Sequence, residues 1–267
     1  MNLADLTSEV AALVRKTGKF LLTENQQFKQ EDIRYKGKND LVSYVDEQAE
    51  QQLMEALRRL LPNAEFIAEE HAKEIPKQLD KGTYWIIDPI DGTTNFLHQV
   101  PLYSISIALM EKGELVLGVV YEPNRDECFY TWKGESSFLN GKPISVSHQT
   151  DLNKTLIATG FPYTKTIHID EHLNGIKNII LNTHGIRRFG SAAIDLAYTA
   201  AGRFDAFYEY QLKPWDVAAG ILLVENAGGK VQSFRKGLNP LTDKEILAGN
   251  PHILSGLHQL ILPSPSK

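Results

Sequence analysis

The chain has 267 residues and a formal net charge of -5, with 28 lysines and arginines against 33 aspartates and glutamates. The two signs are mixed along its length, which leaves no basic patch for counterion-driven binding, so nucleic acid is not an expected partner. A chain of this size can bury roughly three quarters of its unfolded surface without covalent staples, and its single cysteine, Cys128, excludes an intramolecular disulfide.

The opening stretch "MNLADLTSEVAALVRKTGKFLL" repeats Leu3, Leu6, Val10, Leu13, Val14 and Leu21 at helical spacing. Asp5, Glu9 and Arg15 interrupt it, which fits neither a secretory leader nor a membrane span, so no membrane partner and a cytoplasmic location are expected. A polar connection, "YKGKNDLVSYVDEQAE", leads to a second helix with Leu53, Met54, Leu57, Leu60 and Leu61, which Pro62 stops; Asp46 falls near its start. The period then changes. "AEFIAEE", "TYWIIDP", two strands around the "KG" turn of "YSISIALMEKGELVLGVVYEP", and "ECFYTWKGESSFLNGKPISV" predict an antiparallel meander, with Cys128 on a strand face as a structural thiol. Beyond a polar stretch near residue 150, helices and strands alternate. A helix is expected around 170 to 181, a strand near "GIRRF", a helix over "SAAIDLAYTAAG", the strand "FDAFYEY", a helix over "WDVAAGILLVENAGG", a last strand near "EILAGN" and a closing helix. The chain thus divides compositionally into residues 1–150, an α+β half, and 151–267, an α/β half, packed as one compact unit.

The stretch that carries chemistry is "WIIDPIDGTTNF", residues 85 to 96. A core strand ends on Asp88 and Asp91, and carboxylates brought this close repel unless a cation is present. Hard oxygen ligands suit Mg²⁺. Asp91-Gly92 is a turn signal with Asp91 at a predicted helix cap, and "GTTN" offers successive N–H groups and hydroxyls to a phosphate. A metal beside a phosphate is an arrangement for phosphoryl transfer, and it needs further acids. Glu69 and Glu70 at a strand end, Asp46 and Asp216 are the candidates. Each also has a plain structural reading, as a solvated strand end, a first-turn acid or a helix cap.

Taken together, "IAEE", "WIIDPIDGTTNF" and "WDVAAGILLVENAGGKV" closely resemble the signature regions of the inositol monophosphatase family of Mg²⁺-dependent phosphatases, in order and spacing over essentially the whole chain. The resemblance implies a mixed α/β (α+β) fold, a five-layered αβαβα sandwich of the inositol monophosphatase and fructose-1,6-bisphosphatase type. It implies two to three Mg²⁺ per site. Asp88 would bridge two of them, one shared with Glu69 and the Ile90 carbonyl and the other with Asp91 and Asp216; a third, weaker one would lie near Glu69. Asp46, Thr93, Glu69 and Asp91 would be the catalytic residues, the attacking water being oriented by the Thr93 hydroxyl paired with Asp46; "NDLVSYVD" resembles the family's stretch at that point. Gly92, Thr93 and Thr94 would hold the phosphate. Asp91, Gly190, Ser191, Ala192, Glu209 and Asp216 would face the rest of the substrate, with Glu209 favouring a polyol.

The resemblance further implies lithium sensitivity, a homodimer, and hydrolysis of a small phosphate monoester, inositol monophosphate first. Fructose-1,6-bisphosphatase, NADP(H) phosphatase and 3′-phosphoadenosine-5′-phosphate phosphatase activities occur on related scaffolds and stand as alternatives. Arg187 and Arg188 in "GIRRFGSAA" are read either as contacts for a second phosphate or as surface cations beside a strand. The segment from Tyr210 to Pro214 departs from the animal enzymes. A remoter alternative is a non-catalytic phosphate-ligand sensor or partner-binding protein.

Overall fold

Alternate residues of the strand Thr83–Asp91 enter two different cores. Trp85 and Ile87 point one way, Tyr84 and Ile86 the other, and all four are buried. A strand apolar on both faces must lie in a sheet covered on both sides, and the rest of the fold supplies the covers. The computed structural model describes residues 2–28, 34–37, 40–71, 78–161, 169–235 and 237–262.

In chain order the elements are α1 (Leu3–Gln27), β1 (Arg34–Gly37), β2 (Asp40–Val42), α2 (Tyr44–Leu60), β3 (Glu65–Ala68), β4 (Thr83–Asp91), α3 (Thr93–Leu97), β5 (Ser104–Glu111), β6 (Glu114–Glu122), β7 (Glu127–Trp132), β8 (Ser137–Leu139) and β9 (Lys142–Ile144). There follow β10 (Leu156–Thr159), α4 (Ile169–Asn182), β11 (Gly185–Arg187), α5 (Ala192–Ala200), β12 (Ala206–Tyr210), α6 (Pro214–Asn226), β13 (Lys230–Gln232), β14 (Glu245–Gly249) and α7 (Pro251–Ile261). A seven-stranded sheet runs in the order β3-β4-β5-β6-β7-β8-β9, and a five-stranded one in the order β11-β10-β12-β14-β13.

Five layers result. The apolar stripes of α1 (Leu6, Val10, Val14, Leu21) and α2 (Val45, Ala49, Leu53, Leu57) cover one face of the large sheet, against Trp85, Ile105, Ile107 and Val119. Helices α5 and α6 fill the space between the two sheets, where α5 is buried along its whole length, so small residues such as Ala192, Ala193, Ala197 and Ala200 line it. Gly118 of β6 marks how close the approach is, since a Cβ there would stand 2.9 Å from the Ala219 carbonyl oxygen of α6. Helices α4 and α7 close the outer face of the small sheet through Ile179, Ile253, Leu254 and Leu257. This is the expected mixed α/β, five-layered αβαβα sandwich. Cys128 is a buried free thiol on β7, as its strand context predicts. Among the described residues no helix is long and apolar enough to cross a membrane.

Several local expectations need correction. β3 pairs with β4 in parallel, so the meander is antiparallel only from β4 onward; the long connection after β3 permits the crossover that a parallel pair needs. The connection before α2 holds the antiparallel pair β1–β2. β10 and β13, of four and three residues, are additional strands. Asp91 is the last residue of β4 and not a cap; the cap of α3 is Gly92, whose φ of 100° lies in the left-handed region that glycine tolerates.

Candidate active site

The end of β4 is where its pairing with β5 becomes irregular, between Asp88 and Asp91. Pro89 has no N–H to give the ladder, and pairing resumes at Asp91, opposite Ser104. The Ile90 amide donates to Asp88 Oδ1 at 2.9 Å, and the Thr93 hydroxyl lies 2.9 Å from the Ile90 carbonyl and 3.2 Å from Asp46 Oδ1. Asp46 is itself fixed as the third residue of α2, where its Oδ2 accepts from the Ser43 amide at 2.8 Å and the Ser43 hydroxyl at 2.6 Å in a capping box. The structural reading of Asp46 as a first-turn acid and its contact with Thr93 are therefore both present, one on each carboxylate oxygen.

Three more elements bring acids to this turn. Glu69 follows β3, its amide donating to the Ile87 carbonyl at 3.2 Å, and its side chain lies near enough to Asp88 for the two charges to interact. Asp216 is the third residue of α6, which begins at Pro214, and its Oδ2 accepts from the Lys213 amide at 2.6 Å. Asp91 reaches the start of α5, where its Oδ2 accepts from the Ser191 hydroxyl and the Ala193 amide, both at 2.6 Å. Asn95 Nδ2, donating to the Leu102 and Phe189 carbonyls at 2.7 and 2.8 Å, clasps the Gly190 loop to α3. Glu209 arrives on β12 and is buried. Gly92, Thr93 and Thr94 open α3, while Gly190, Ser191 and Ala192 lead into α5.

Burial is the main cause of the carboxyl shifts here, with like charge adding to it. Asp88 is raised well above the usual range by burial and then by Glu69, Asp91 and Asp216. Burial carries Asp91 up to about 6, against the Ser191 and α5 amide bonds and Arg188, which oppose the rise. Burial and then Asp91 carry Asp216 up to about 7. Glu209 is raised by burial, Asp216 and Asp91, with Arg188 opposing.

This donor set fits a hard divalent cation. It consists of oxygen alone, and the charges of Glu69, Asp91 and Asp216 all act on Asp88, a repulsion that a bound cation would relieve. Among the described residues no three His, Cys, Asp or Glu side chains already enclose a metal position. Asp88, Asp91 and Asp216 each commit an oxygen to a protein donor instead. The residues that fit such an ion are Glu69, Asp88, Asp91, Asp216 and the Ile90 carbonyl.

The two arginines read from the sequence divide, and Asp195 and Gly160, which it does not single out, also border the site. Of the two arginines, Arg187 is exposed, with its guanidinium on the Ile186 carbonyl, while Arg188 is half-buried, 5.5 Å from the Phe161 ring, and acts on Asp91, Asp195 and Glu209. Asp195 is fully buried and neither of its carboxylate oxygens has a protein partner; burial, Glu209 and Asp91 raise it. Its place one helical turn after Ser191 was the available signal. Gly160 is a further one, because a Cβ there would overlap the Glu209 carboxylate. Gly160→Ala is expected to fold while displacing Glu209, raising KM for a polyol phosphate several-fold with a smaller change in kcat; steady-state kinetics on the purified variant checks this.

The αβαβα sandwich that carries this buried set of carboxylates and the threonine–aspartate pair is a fold of the inositol monophosphatase type. The chain belongs to the inositol monophosphatase family, whose model matches residues 2–264. It is 40% identical over 263 residues to an inositol-1-monophosphatase of Rhizobium meliloti, covering 98% of each chain. It is 39% identical over 252 residues to a protein of Salmonella typhimurium strain LT2 named Nus factor SuhB, covering 94% of this chain and 93% of that one. Among solved structures, the extragenic suppressor protein SuhB of Bartonella henselae superposes with a TM-score of 0.89 at 37% identity, covering 97% of this chain and 99% of that one. An IMPase of Thermotoga maritima gives 0.87 at 34% identity, covering 96% of each chain.

Proposed function

We propose that the protein is a Mg²⁺-dependent phosphoric monoester hydrolase whose substrate is inositol monophosphate, giving inositol and phosphate. The observation that carries this reading is the convergence of Glu69, Asp88, Asp91 and Asp216 beside the Thr93–Asp46 pair. Family membership and the identity to an inositol-1-monophosphatase support it. Bound Mg²⁺ would neutralise the phosphate oxygens and the departing alkoxide.

The chain's own residues do the rest. The Thr93 hydroxyl, donating to Asp46, leaves its lone pairs to orient the attacking water. Asp46 is buried, so that hydrogen bond works in a low dielectric. Gly92, Thr93 and Thr94 present amides and hydroxyls to the phosphate, and the Gly190–Ala192 loop, held to Asp91, faces the alcohol with Glu209. Direct attack by water requires no covalent enzyme intermediate. Lithium inhibition and a homodimer belong to the same proposal. Supporting the latter, α4 turns Ile169, Leu173 and Ile180 to solvent along one face, a stripe that a second copy would cover.

Phosphate release from inositol 1-phosphate, fructose 1,6-bisphosphate, NADP and 3′-phosphoadenosine 5′-phosphate, each with and without Mg²⁺ and Li⁺, tests the reading. The expected result is Mg²⁺-dependent, Li⁺-inhibited release that is fastest from inositol 1-phosphate. No Mg²⁺-dependent release from any of them overturns it. That outcome would favour a second reading, a partner-binding protein, which rests on the relatives named Nus factor.

A further inference from the structure

Helix α2 carries a second buried acid one turn beyond Asp46. Residues four apart share a helix face, so Asp46 and Glu50 look the same way, and both are buried. Asp46 meets Thr93 at the start of α3. Glu50 meets the turn that follows β3: its Oε2 accepts from the Glu70 amide at 2.8 Å, and its Oε1 contacts His71 Nδ1. The His71 side chain is 59% exposed and that of Glu50 0%, so the imidazole lies over the carboxylate from the solvent side.

We propose that Glu50 is a positioning residue for Glu69. The turn at 69–71 has two anchors. The Glu69 amide continues the β3–β4 ladder onto the Ile87 carbonyl at 3.2 Å, and the next amide, that of Glu70, is held by Glu50. Pinned on both sides, the backbone directs the Glu69 side chain toward Asp88, near enough for the two charges to interact. β3 ends at Ala68 and lies at the edge of its sheet, so it gives the turn no second strand to lean on. Without Glu50, the Glu70 amide would lose its acceptor and Glu69 its fixed exit angle. Asp88, Asp91 and Asp216 are each held by a backbone donor of their own. The effect therefore falls on the Glu69 side of the metal cluster, and α2 holds two loops of the site with two carboxylates on one face.

This inference rests on the reading of Glu69 as a metal ligand, and calorimetric titration of Mg²⁺ into the metal-stripped full-length chain separates the two. If the wild type binds no Mg²⁺, the metal-site reading itself fails. If it binds, Glu50→Ala is expected to raise the Mg²⁺ half-saturation by about 10- to 100-fold, the usual cost of losing a residue that orients a ligand. Glu50→Met keeps the length of the side chain but offers the Glu70 amide no oxygen, and should raise it by about tenfold or more as well. Hydrogen exchange of the 69–71 amides should quicken in both variants even in metal-free protein, and kcat should recover toward wild type at saturating Mg²⁺ with KM for the phosphate ester unchanged. A purely structural role would lower the melting temperature and the active fraction but leave the Mg²⁺ half-saturation of the folded protein in place. If Glu50→Ala fails to fold, Glu50→Met decides alone: a shift smaller than about tenfold, with wild-type binding intact, overturns the proposal.

Discussion

Asp91→Asn is expected to lose activity while gaining stability in metal-free buffer. The substitution keeps the size of the side chain, and the amide oxygen can still accept from the Ser191 hydroxyl and the Ala193 amide, so the joint between β4 and α5 survives. What disappears is a negative charge in a buried set of acids. Removing one preorganised charge from such a site costs about a hundredfold to a thousandfold in kcat or more. The stability gain follows from the direction of the carboxyl shift. Burial holds the Asp91 carboxyl at about 6 in the folded chain against a usual value of 3.8. A raised acid binds its proton more tightly when folded, so wild-type stability falls as pH rises from about 4 through 6, by up to about 3 kcal/mol. Asparagine has no such titration. In EDTA at pH 7 the variant should therefore melt higher than wild type, and the gap should close at pH 4 or when Mg²⁺ is added to the wild type. Calorimetric melting at the two pH values, beside phosphate release with Mg²⁺, measures both halves. Wild-type turnover by the variant would remove Asp91 from the site, and a lower melting point in EDTA would contradict the account of its charge.

The segment around Asp91 was legible in the sequence because its chemistry is local: twelve consecutive residues, 85 to 96, hold the strand, the turn, two acids and two threonines. The helices α1 and α2 were legible for a similar reason, a long 3.6-residue period with charges on the other face. What escaped depends on packing. β13 has one apolar residue, Val231, in three, too short for alternation to register, and the parallel pairing of β3 with β4 is a choice between partners that no local pattern records. Glu50 sits among polar and small residues of its helix, where an acid ordinarily reads as solvent-facing, and Asp195, flanked by Ile194 and Leu196, has no nearby charge in sequence to mark it. Only the second sheet over α5, and the turn after β3 over α2, show that both are buried. Asp216 shows the opposite limit. Its plain reading as a helix-start acid is correct in geometry, yet it stands beside Asp91 and Asp88, a fact that its neighbours in sequence do not contain.

Thr93→Val is expected to lower kcat by about a hundredfold to ten-thousandfold, the range for loss of a proton-transfer partner, with little change in KM. Valine matches threonine in shape, so α3 and its glycine cap should persist, and only the hydroxyl is removed. That hydroxyl has one proton and two acceptors within reach, Asp46 Oδ1 at 3.2 Å and the Ile90 carbonyl at 2.9 Å. Donation to Asp46 is the productive choice, because it turns a lone pair outward to accept from water and passes negative charge inward. Asp46→Asn tests the direction of that bond. One face of the asparagine can still accept from the Ser43 amide and hydroxyl, as Oδ2 does now, so the capping box and α2 should stand. The other face would then present an N–H toward Thr93, the hydroxyl would have to donate to Ile90 instead, and the water would lose its oriented acceptor. Asp46→Ala differs in a useful way, since it also removes the cap and should cost about 1 kcal/mol of stability besides. Thr93→Ser restores the hydroxyl and should recover most of the activity. If the pair acts as a unit, the double variant Thr93→Val with Asp46→Asn will be no slower than the worse single one. Independent, multiplicative losses in that cycle would mean that the two side chains act separately, and wild-type kcat in Asp46→Asn would mean that Asp46 serves α2 alone and that the water is oriented elsewhere.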